Sequence, residues 1–260
     1  MELRTLGDTG IRVSPLGLGT VKIGRNQQVK YPSPFDLPDD AQVRRLLATA
    51  HELGINLVDT APAYGTSQER LGRLLPRPRG DWVLVSKVGE IFEQGQSRFD
   101  FGFEYTIRTV EASLRTLGTD YLDAVLIHSD GDDLRILERE GVVEALVRLK
   151  ERGLIRAHGL SGKTLAGGLR AVELLDLVMV TLNLSYRDEL PVVAAAAAAH
   201  KGVLIKKGLQ SGWVDGPAGV RASLDFIFTQ PGVAGLIVGT LNPDHLQANW
   251  ATLDELLTRS

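Results

Sequence analysis

The chain has 260 residues, of which 43% are hydrophobic and 23% charged, and its formal net charge is -3. These values are typical of a soluble globular protein with a large core, and they argue against disorder. The charges form no block of one sign, so we expect neither a nucleic-acid partner nor a membrane partner.

The absence of cysteine excludes disulfides, thiolate catalysis and cysteine-bound metals, and it fits a reducing compartment. The amino terminus, MELRTLGDTG, lacks the basic-then-apolar pattern of a signal peptide, and no apolar run approaches the length of a membrane span. The sequence therefore predicts a cytoplasmic protein that acts on a small molecule.

In chain order, the first predicted element is a short β-hairpin around Asp8-Thr9-Gly10, where two alternating runs flank a turn-forming triplet. Helix-period segments then alternate with eight short runs whose near-continuous hydrophobicity is typical of strands covered on both faces. The eight runs are SPLGLGT, INLVDTA, WVLVSKV, LDAVLIH, IRAHGLS, LVMVTLN, GVLIKKG and AGLIVGT. The helical segments are DDAQVRRLLATAHELG, EYTIRTVEASLRTLG, VVEALVRLKERG, LAGGLRAVELLD and the alanine-rich PVVAAAAAAHKG.

Eight strand–helix alternations favour an α/β fold of the closed (β/α)8 TIM-barrel type with an N-terminal β-hairpin, formed by a single domain over residues 1–260. No G-x-G-x-x-G follows the first strand, which argues against a Rossmann fold. Residues 23–38 and 89–103 fit neither helix nor strand, and both follow predicted strands. We expect them to be irregular loops that cover the substrate.

Four chemically reactive residues stand at or just after the ends of three successive predicted strands: Asp59, Tyr64, Lys87 and His128. The carboxyl ends of parallel barrel strands meet at one face, so we expect these side chains to share a pocket. A lysine close to a phenol would lower the tyrosine pKa toward working pH, while Asp59 would keep the lysine charged. Tyr64 could then protonate an oxygen that gains charge, and His128 could donate a hydrogen bond to it.

The same residues leave other interpretations open. Lys87 and Asp59 also fit a purely structural salt bridge, and a barrel lysine can serve as a Schiff-base nucleophile, as in aldolases. An adjacent aspartate works against the low lysine pKa that this nucleophile needs. The histidines at 51, 128, 158, 200 and 245 lack paired ligand spacing, so we predict no metal site.

Several segments, in chain order, closely resemble signature segments of the aldo-keto reductases. They are RTLGDTGIRVSPLGLGT at the start, GINLVDTAPAYGTSQERLG at 54–72, EASLRTLGTDYLDAVLIH at 111–128 and LIVGTLNPDHLQAN near the end. The resemblance implies a barrel that binds NADPH, or less often NADH, and reduces a small-molecule carbonyl. It also implies a catalytic tetrad of Asp59, Tyr64, Lys87 and His128, with Tyr64 as general acid and His128 as the donor that orients the carbonyl.

The resemblance further implies a set of cofactor-binding positions: Gly19, Thr20, Asp59, Ser161, Gly162, Met179, Asn183, Lys206, Lys207, Gly208, Leu209, Ser211, Gly239, Thr240, Asn242, His245 and Asn249. Several of them depart from the family's pattern. Gly162 follows Ser161 where the family has asparagine to hold the nicotinamide carboxamide. Met179 stands where many members have glutamine, with Asn183 nearby as a substitute. Lys206 replaces the aromatic residue that stacks on the nicotinamide.

At the carboxyl-terminal end, Asn242 and Pro243 form a good cap and first-turn pair for a helix that would face the adenosine phosphate. His245 replaces the arginine that many NADPH-preferring members use, and Ala248 replaces a common glutamate. A capped helix without a ligand role is the alternative interpretation.

The altered nicotinamide positions also keep open a regulatory or sensor protein that binds a nucleotide with little turnover. A lysine-based aldolase is a third interpretation, although it leaves Tyr64 and the C-terminal motif without a role. We expect a monomer, with a homo-oligomer as the alternative.

Overall fold

The chain forms a closed barrel of parallel strands in a computed structural model that describes residues 1–31, 33–214 and 216–258. Each predicted strand run contains one barrel strand, so the predicted (β/α)8 barrel is confirmed. In barrel order the strands are β3 (Leu16–Gly19), β4 (Leu57–Asp59), β5 (Val83–Val88), β8 (Leu122–His128), β9 (Ile155–Ser161), β10 (Leu177–Thr181), β11 (Gly202–Lys206) and β12 (Val233–Val238). Pairing of β12 with β3 closes the ring.

Helices follow the strands, and their ends carry the expected signals. Asp39 and Gln42 form a capping box at the start of the second helix, and Gly118 in left-handed conformation ends the fourth. The helices are α1 (Val21–Gly24), α2 (Asp40–Glu52), α3 (Ser67–Leu74), α4 (Phe103–Leu117), α5 (Asp133–Arg139), α6 (Val142–Glu151), α7 (Leu165–Leu174), α8 (Leu190–Ala198), α9 (Gly216–Phe228) and α10 (Pro243–Thr258).

The barrel has an inner and an outer apolar layer, because successive strand residues point to opposite faces. On β10, Leu177 and Met179 pack inside the barrel, whereas Val178 and Val180 pack against the surrounding helices. Burial on both faces explains why the strands read as continuous hydrophobic runs.

The predicted N-terminal hairpin is confirmed as β1 (Arg4–Thr5) paired with β2 (Arg12–Val13). Its side chains Leu6 and Ile11 are fully buried and belong to the inner apolar layer. A Cβ atom on Gly7 would lie 2.4 Å from the backbone nitrogen of Gly202, at the start of β11, so this close approach requires glycine. The hairpin thus closes the amino-terminal end of the barrel and leaves the other end for a cavity.

The segment 89–103, predicted to be an irregular loop, instead contains a second hairpin. Its strands are β6 (Glu90–Glu93) and β7 (Gln96–Phe99), and they are antiparallel. Gln94 and Gly95 both have positive φ, 52° and 76°, as a tight two-residue hairpin turn requires. The sequence prediction was wrong here because the strands are short and largely exposed, with no apolar alternation to mark them.

The first predicted loop begins in α1, and from Arg25 to Asp39 its described residues form neither helix nor strand. None of the helices in the described residues is both long enough and apolar enough to cross a membrane.

Candidate active site

A cavity of about 1490 Å³ opens at the carboxyl-terminal ends of the barrel strands. Asp59 ends β4, Lys87 lies near the end of β5, His128 ends β8, and Tyr64 enters from the loop before α3. All four line this cavity, so the fold brings together the residues that the sequence placed at separate strand ends.

The deepest of these contacts is the ion pair between Lys87 and Asp59. Nζ of Lys87 donates to Oδ1 of Asp59 and to the carbonyl oxygen of Thr60, 3.1 Å away, and the lysine side chain is only 2% exposed. Burial lowers the pKa of Lys87, and Asp59 opposes this shift. A buried pair of this kind is costly to separate, so it holds the lysine in one place.

A tight backbone contact positions the tyrosine loop. Gly24 of α1 packs so closely on it that an added Cβ would lie 2.2 Å from the carbonyl oxygen of Tyr64 and from the backbone nitrogen of Ser67. The Ser67 hydroxyl also bonds to the hydroxyls of Thr20, at 2.7 Å, and Thr60, at 3.0 Å. The tyrosine is therefore held by buried polar groups from three neighbouring segments.

The ring of Tyr64 lies close to both the lysine and the histidine. Nζ of Lys87 is 4.8 Å from its centroid, and the His128 ring meets it edge-on at 6.2 Å and 88°. Burial and the carboxylates of Asp59 and Glu90 raise the pKa of Tyr64 well above its ordinary value, with Arg25 opposing them.

The expected lowering of the Tyr64 pKa by Lys87 is therefore wrong in sign. The charge of the lysine is balanced by its partner Asp59, and burial then favours the neutral phenol. Tyr64 keeps its proton at neutral pH, which suits a proton donor.

Glu90, which the sequence analysis did not single out, also belongs to this site. Its Oε2 lies 2.8 Å from Nδ1 of His128, within hydrogen-bonding distance but without the alignment of a hydrogen bond. Its Oε1 accepts from Nη1 of Arg25 at 3.1 Å and from Oγ of Ser97 at 2.7 Å. Although burial raises the pKa of Glu90, its contacts with His128, Ser97 and Arg25 lower it to about 2.

Lys206 reaches into the cavity from the end of β11, while the following Lys207 is exposed. Nζ of Lys206 donates to Oγ of Ser161 at 2.9 Å and to the carbonyl oxygen of Gly162 at 2.7 Å. Burial lowers the pKa of Lys206 to about 7, Lys207 and Lys87 add to this effect, and Glu189 opposes it. The amine of Lys206 is thus held by two successive residues at the end of β9.

Most of the predicted cofactor positions line the same cavity: Gly19, Thr20, Asp59, Ser161, Gly162, Met179, Lys206, Lys207, Leu209, Ser211, Gly239, Thr240, His245 and Asn249. Asn183, Gly208 and Asn242 are not among the lining residues. The amide of Asn183 instead donates to the carbonyl of Lys207 and accepts from the backbone of Ser185, so it holds a turn.

Several positively charged side chains line the cavity. Its lining includes the lysines at 22, 30, 163, 206 and 207. The first turn of α10 faces the same space, where Asn242 Oδ1 accepts from the backbone of Asp244 at 2.9 Å. Lysines beside a helix amino terminus attract anions, and the cavity is large enough for a dinucleotide.

Comparison with known proteins identifies the family of this chain. The family model described as the aldo/keto reductase family matches residues 15–215. The chain belongs to the aldo-keto reductase family. A crystal structure assigned to the aldo-keto reductases, from Pseudomonas aeruginosa, is 57% identical, with a TM-score of 0.90 over 98% of this chain and 95% of that one.

Among curated relatives, L-galactose dehydrogenase of Arabidopsis thaliana is 32% identical over 62% of this aldo-keto reductase and 49% of its own length. The NADH-specific methylglyoxal reductase of Escherichia coli is 34% identical over 61% of this chain and 51% of its own length. The matched region thus spans about half the length of these two relatives.

Proposed function

We propose that this protein reduces an aldehyde or ketone to the alcohol, with a hydride from a nicotinamide cofactor and a proton from Tyr64. The observation that carries the proposal is the position of the Tyr64 ring, which lies close both to a lysine held by Asp59 and to a histidine on the next strand along the barrel. The cofactor supplies the hydride when bound, and the protein supplies the proton and the hydrogen bonds that the reaction needs.

Tyr64, Lys87 and His128 each have a role in this reaction. Tyr64 keeps its proton at working pH because burial and nearby carboxylates raise its pKa, and it gives that proton to the carbonyl oxygen as the oxygen gains negative charge. Lys87 lies over the tyrosine ring and stabilises the phenolate that remains. His128 donates a hydrogen bond to the same oxygen and orients it, a role worth about 3 kcal/mol of barrier.

The cofactor we propose is NADPH, with NADH as a second possibility. The cavity suits a dinucleotide because, besides Lys87, five lysines and the first turn of α10 line it. Lys207 and Ser211 would hold the pyrophosphate, and His245 the far phosphate, while Lys206 and Ser161 would meet the carboxamide. An E. coli relative is named for its NADH specificity, so both cofactors belong in the test.

The substrate side of the cavity has an aromatic wall. Tyr31 and Phe35 come from the segment after α1, with ring centroids 5.6 Å apart, and Phe99 comes from the hairpin after β5. These three rings favour a small carbonyl compound with an apolar body.

The test measures cofactor binding first and hydride transfer to a carbonyl second. Purified protein is mixed with NADPH or NADH, and binding is measured from nicotinamide fluorescence. Cofactor deuterated at C4 is then supplied with a panel of small aldehydes, and the alcohols are analysed by mass spectrometry. We expect submillimolar binding and deuterium on the carbinol carbon. Binding without transfer to any aldehyde would contradict the enzyme and favour a nucleotide sensor.

A further inference from the structure

Glu90 contacts the histidine of the tetrad but has no role in the reaction described above. It is the first residue of β6, and its side chain is 10% exposed. One carboxylate oxygen accepts hydrogen bonds from Arg25, at 3.1 Å, and from Ser97, at 2.7 Å. The other oxygen lies 2.8 Å from Nδ1 of His128. Each oxygen therefore has a defined partner.

The charge on Glu90 decides where the proton of His128 lies. The pKa of Glu90 is about 2, so this group is a carboxylate at any pH where the protein works. A carboxylate oxygen has no proton to donate, and at 2.8 Å it would repel a nitrogen lone pair. Nδ1 of His128 must therefore carry a proton. A neutral imidazole has only one, so its Nε2 then has a lone pair.

The other groups that face His128 set how easily the second proton binds. Burial lowers the pKa of His128, Lys87 and Lys206 lower it further, and Glu90 raises it. Tyr64, edge-on at 6.2 Å, is neutral and adds no charge. Within the described residues, Glu90 is the one group that raises the pKa of His128.

We propose that Glu90 is a positioning residue that keeps a proton on Nδ1 of His128, so that Nε2 donates to a ligand only when the imidazole is fully protonated. The catalytic consequence rests on the proposed function, whereas the tautomer does not. Because a reducible carbonyl needs a donor, reduction then requires the imidazolium. The specificity constant kcat/KM falls as pH rises through the pKa of His128.

The direct test is nuclear magnetic resonance of the free protein with 15N-labelled histidine. Long-range proton–nitrogen correlations report which ring nitrogen carries the proton, and His128→Gln identifies the His128 signals among the five histidines. Above its pKa, we expect wild-type His128 to have the proton on Nδ1. A proton on Nε2 in the wild type would overturn the proposal, and this spectrum requires no Glu90 variant.

Glu90→Gln tests the cause. The amide keeps an oxygen for Arg25 and Ser97, and its NH2 group can donate to Nδ1, so we expect the proton of neutral His128 to move to Nε2. We also expect the pKa of His128 to fall by about one unit, a tenfold loss of proton affinity. Glu93→Gln is the matched control, because Glu93 lies on the same hairpin in an exposed pair with Arg98. An unchanged tautomer and pKa in Glu90→Gln would refute the proposal.

A pH profile adds the catalytic consequence. With an aldehyde that the protein reduces, the fall of kcat/KM should move about one unit to lower pH in Glu90→Gln and stay in place in Glu93→Gln. A profile that does not move would contradict the positioning role. If the protein reduces no aldehyde, the proposed function fails, and the spectra still decide the tautomer.

Discussion

Nζ of Lys206 lies 2.9 Å from Oγ of Ser161, two strands away across the barrel mouth. The same amine donates to the carbonyl of Gly162, the residue that stands where the family's pattern has asparagine. In the proposed nicotinamide half of the site, a titratable cation thus stands where the family's pattern has an aromatic ring. Three predictions test this arrangement and the ion pair below it.

Lys206→Met should change the preference between reduced and oxidised cofactor. The oxidised nicotinamide ring carries a positive charge that the reduced ring lacks, so an ammonium beside it disfavours the oxidised form by about tenfold to a hundredfold. The wild type should therefore bind reduced cofactor more tightly at pH 6, with a smaller difference at pH 8.5, because the pKa of Lys206 is about 7. In Lys206→Met the ratio of dissociation constants should be smaller and independent of pH.

Titration calorimetry with both cofactor forms measures that ratio. Lys207→Met is the control, because Lys207 is exposed at the cavity rim and should affect both forms equally through the phosphates. A ratio that is the same in wild type and Lys206→Met at pH 6 would refute the electrostatic role.

Lys206→Met should also stabilise the fold, most strongly at low pH. The pKa of Lys206 falls from 10.5 to about 7 on folding, so between these values the unfolded chain binds a proton that the folded chain lacks. The penalty is full below pH 7 and disappears as pH rises to 10.5. Lys206→Met also removes the hydrogen bonds to Ser161 and Gly162, which offsets most of this penalty. We therefore expect an increase in Tm of roughly 2 to 8 °C at pH 6, from a net gain of about 1 to 2 kcal/mol, and a smaller one at pH 9. Calorimetric scans at both pH values check this, and an increase that grows with pH would contradict it.

Asp59→Asn should destabilise the fold by about 3 to 5 kcal/mol, because it leaves the Lys87 ammonium buried without its charged partner. Urea unfolding measures the change. The double variant Asp59→Asn with Lys87→Met should lose less than the two single variants together, since it leaves no unpaired charge. Glu93→Gln, which breaks an exposed pair, should cost less than about 1 kcal/mol. A loss below about 1 kcal/mol for Asp59→Asn would contradict the claim that Lys87 is buried and depends on Asp59 for its charge.

The barrel, and the meeting of the four reactive side chains in one cavity, could be predicted from the sequence because both depend on order along the chain. Strands buried on both faces appear as continuous apolar runs, and a residue such as His128 at the end of such a run must lie at the barrel mouth. The N-terminal hairpin was marked by Gly10, whose φ is 70°.

Glu90 and the hydrogen bonds of Lys206 could not be predicted, because they depend on distances between segments. Glu90 begins a short exposed hairpin whose signal in the sequence is the pair Gln94-Gly95, and its contact with Arg25 joins residues 65 positions apart. The sign of the Tyr64 pKa shift was missed for a related reason. The residue types suggest that a lysine lies near a phenol. Only the structure shows that Tyr64 is buried deeply enough for burial to outweigh the effect of the lysine charge on its pKa.

We propose that Tyr64 donates the proton in a nicotinamide-dependent carbonyl reduction, and single-turnover kinetics of Tyr64→Phe provide the sharpest test. The variant keeps the ring near Lys87 and His128 and removes only the hydroxyl. We predict unchanged cofactor affinity and a loss of about a thousandfold in the reduction rate, as removal of a general acid causes. Tyr105→Phe, in α4 and outside the cavity lining, should reduce at the wild-type rate. A Tyr64→Phe rate within a few-fold of wild type would contradict the account.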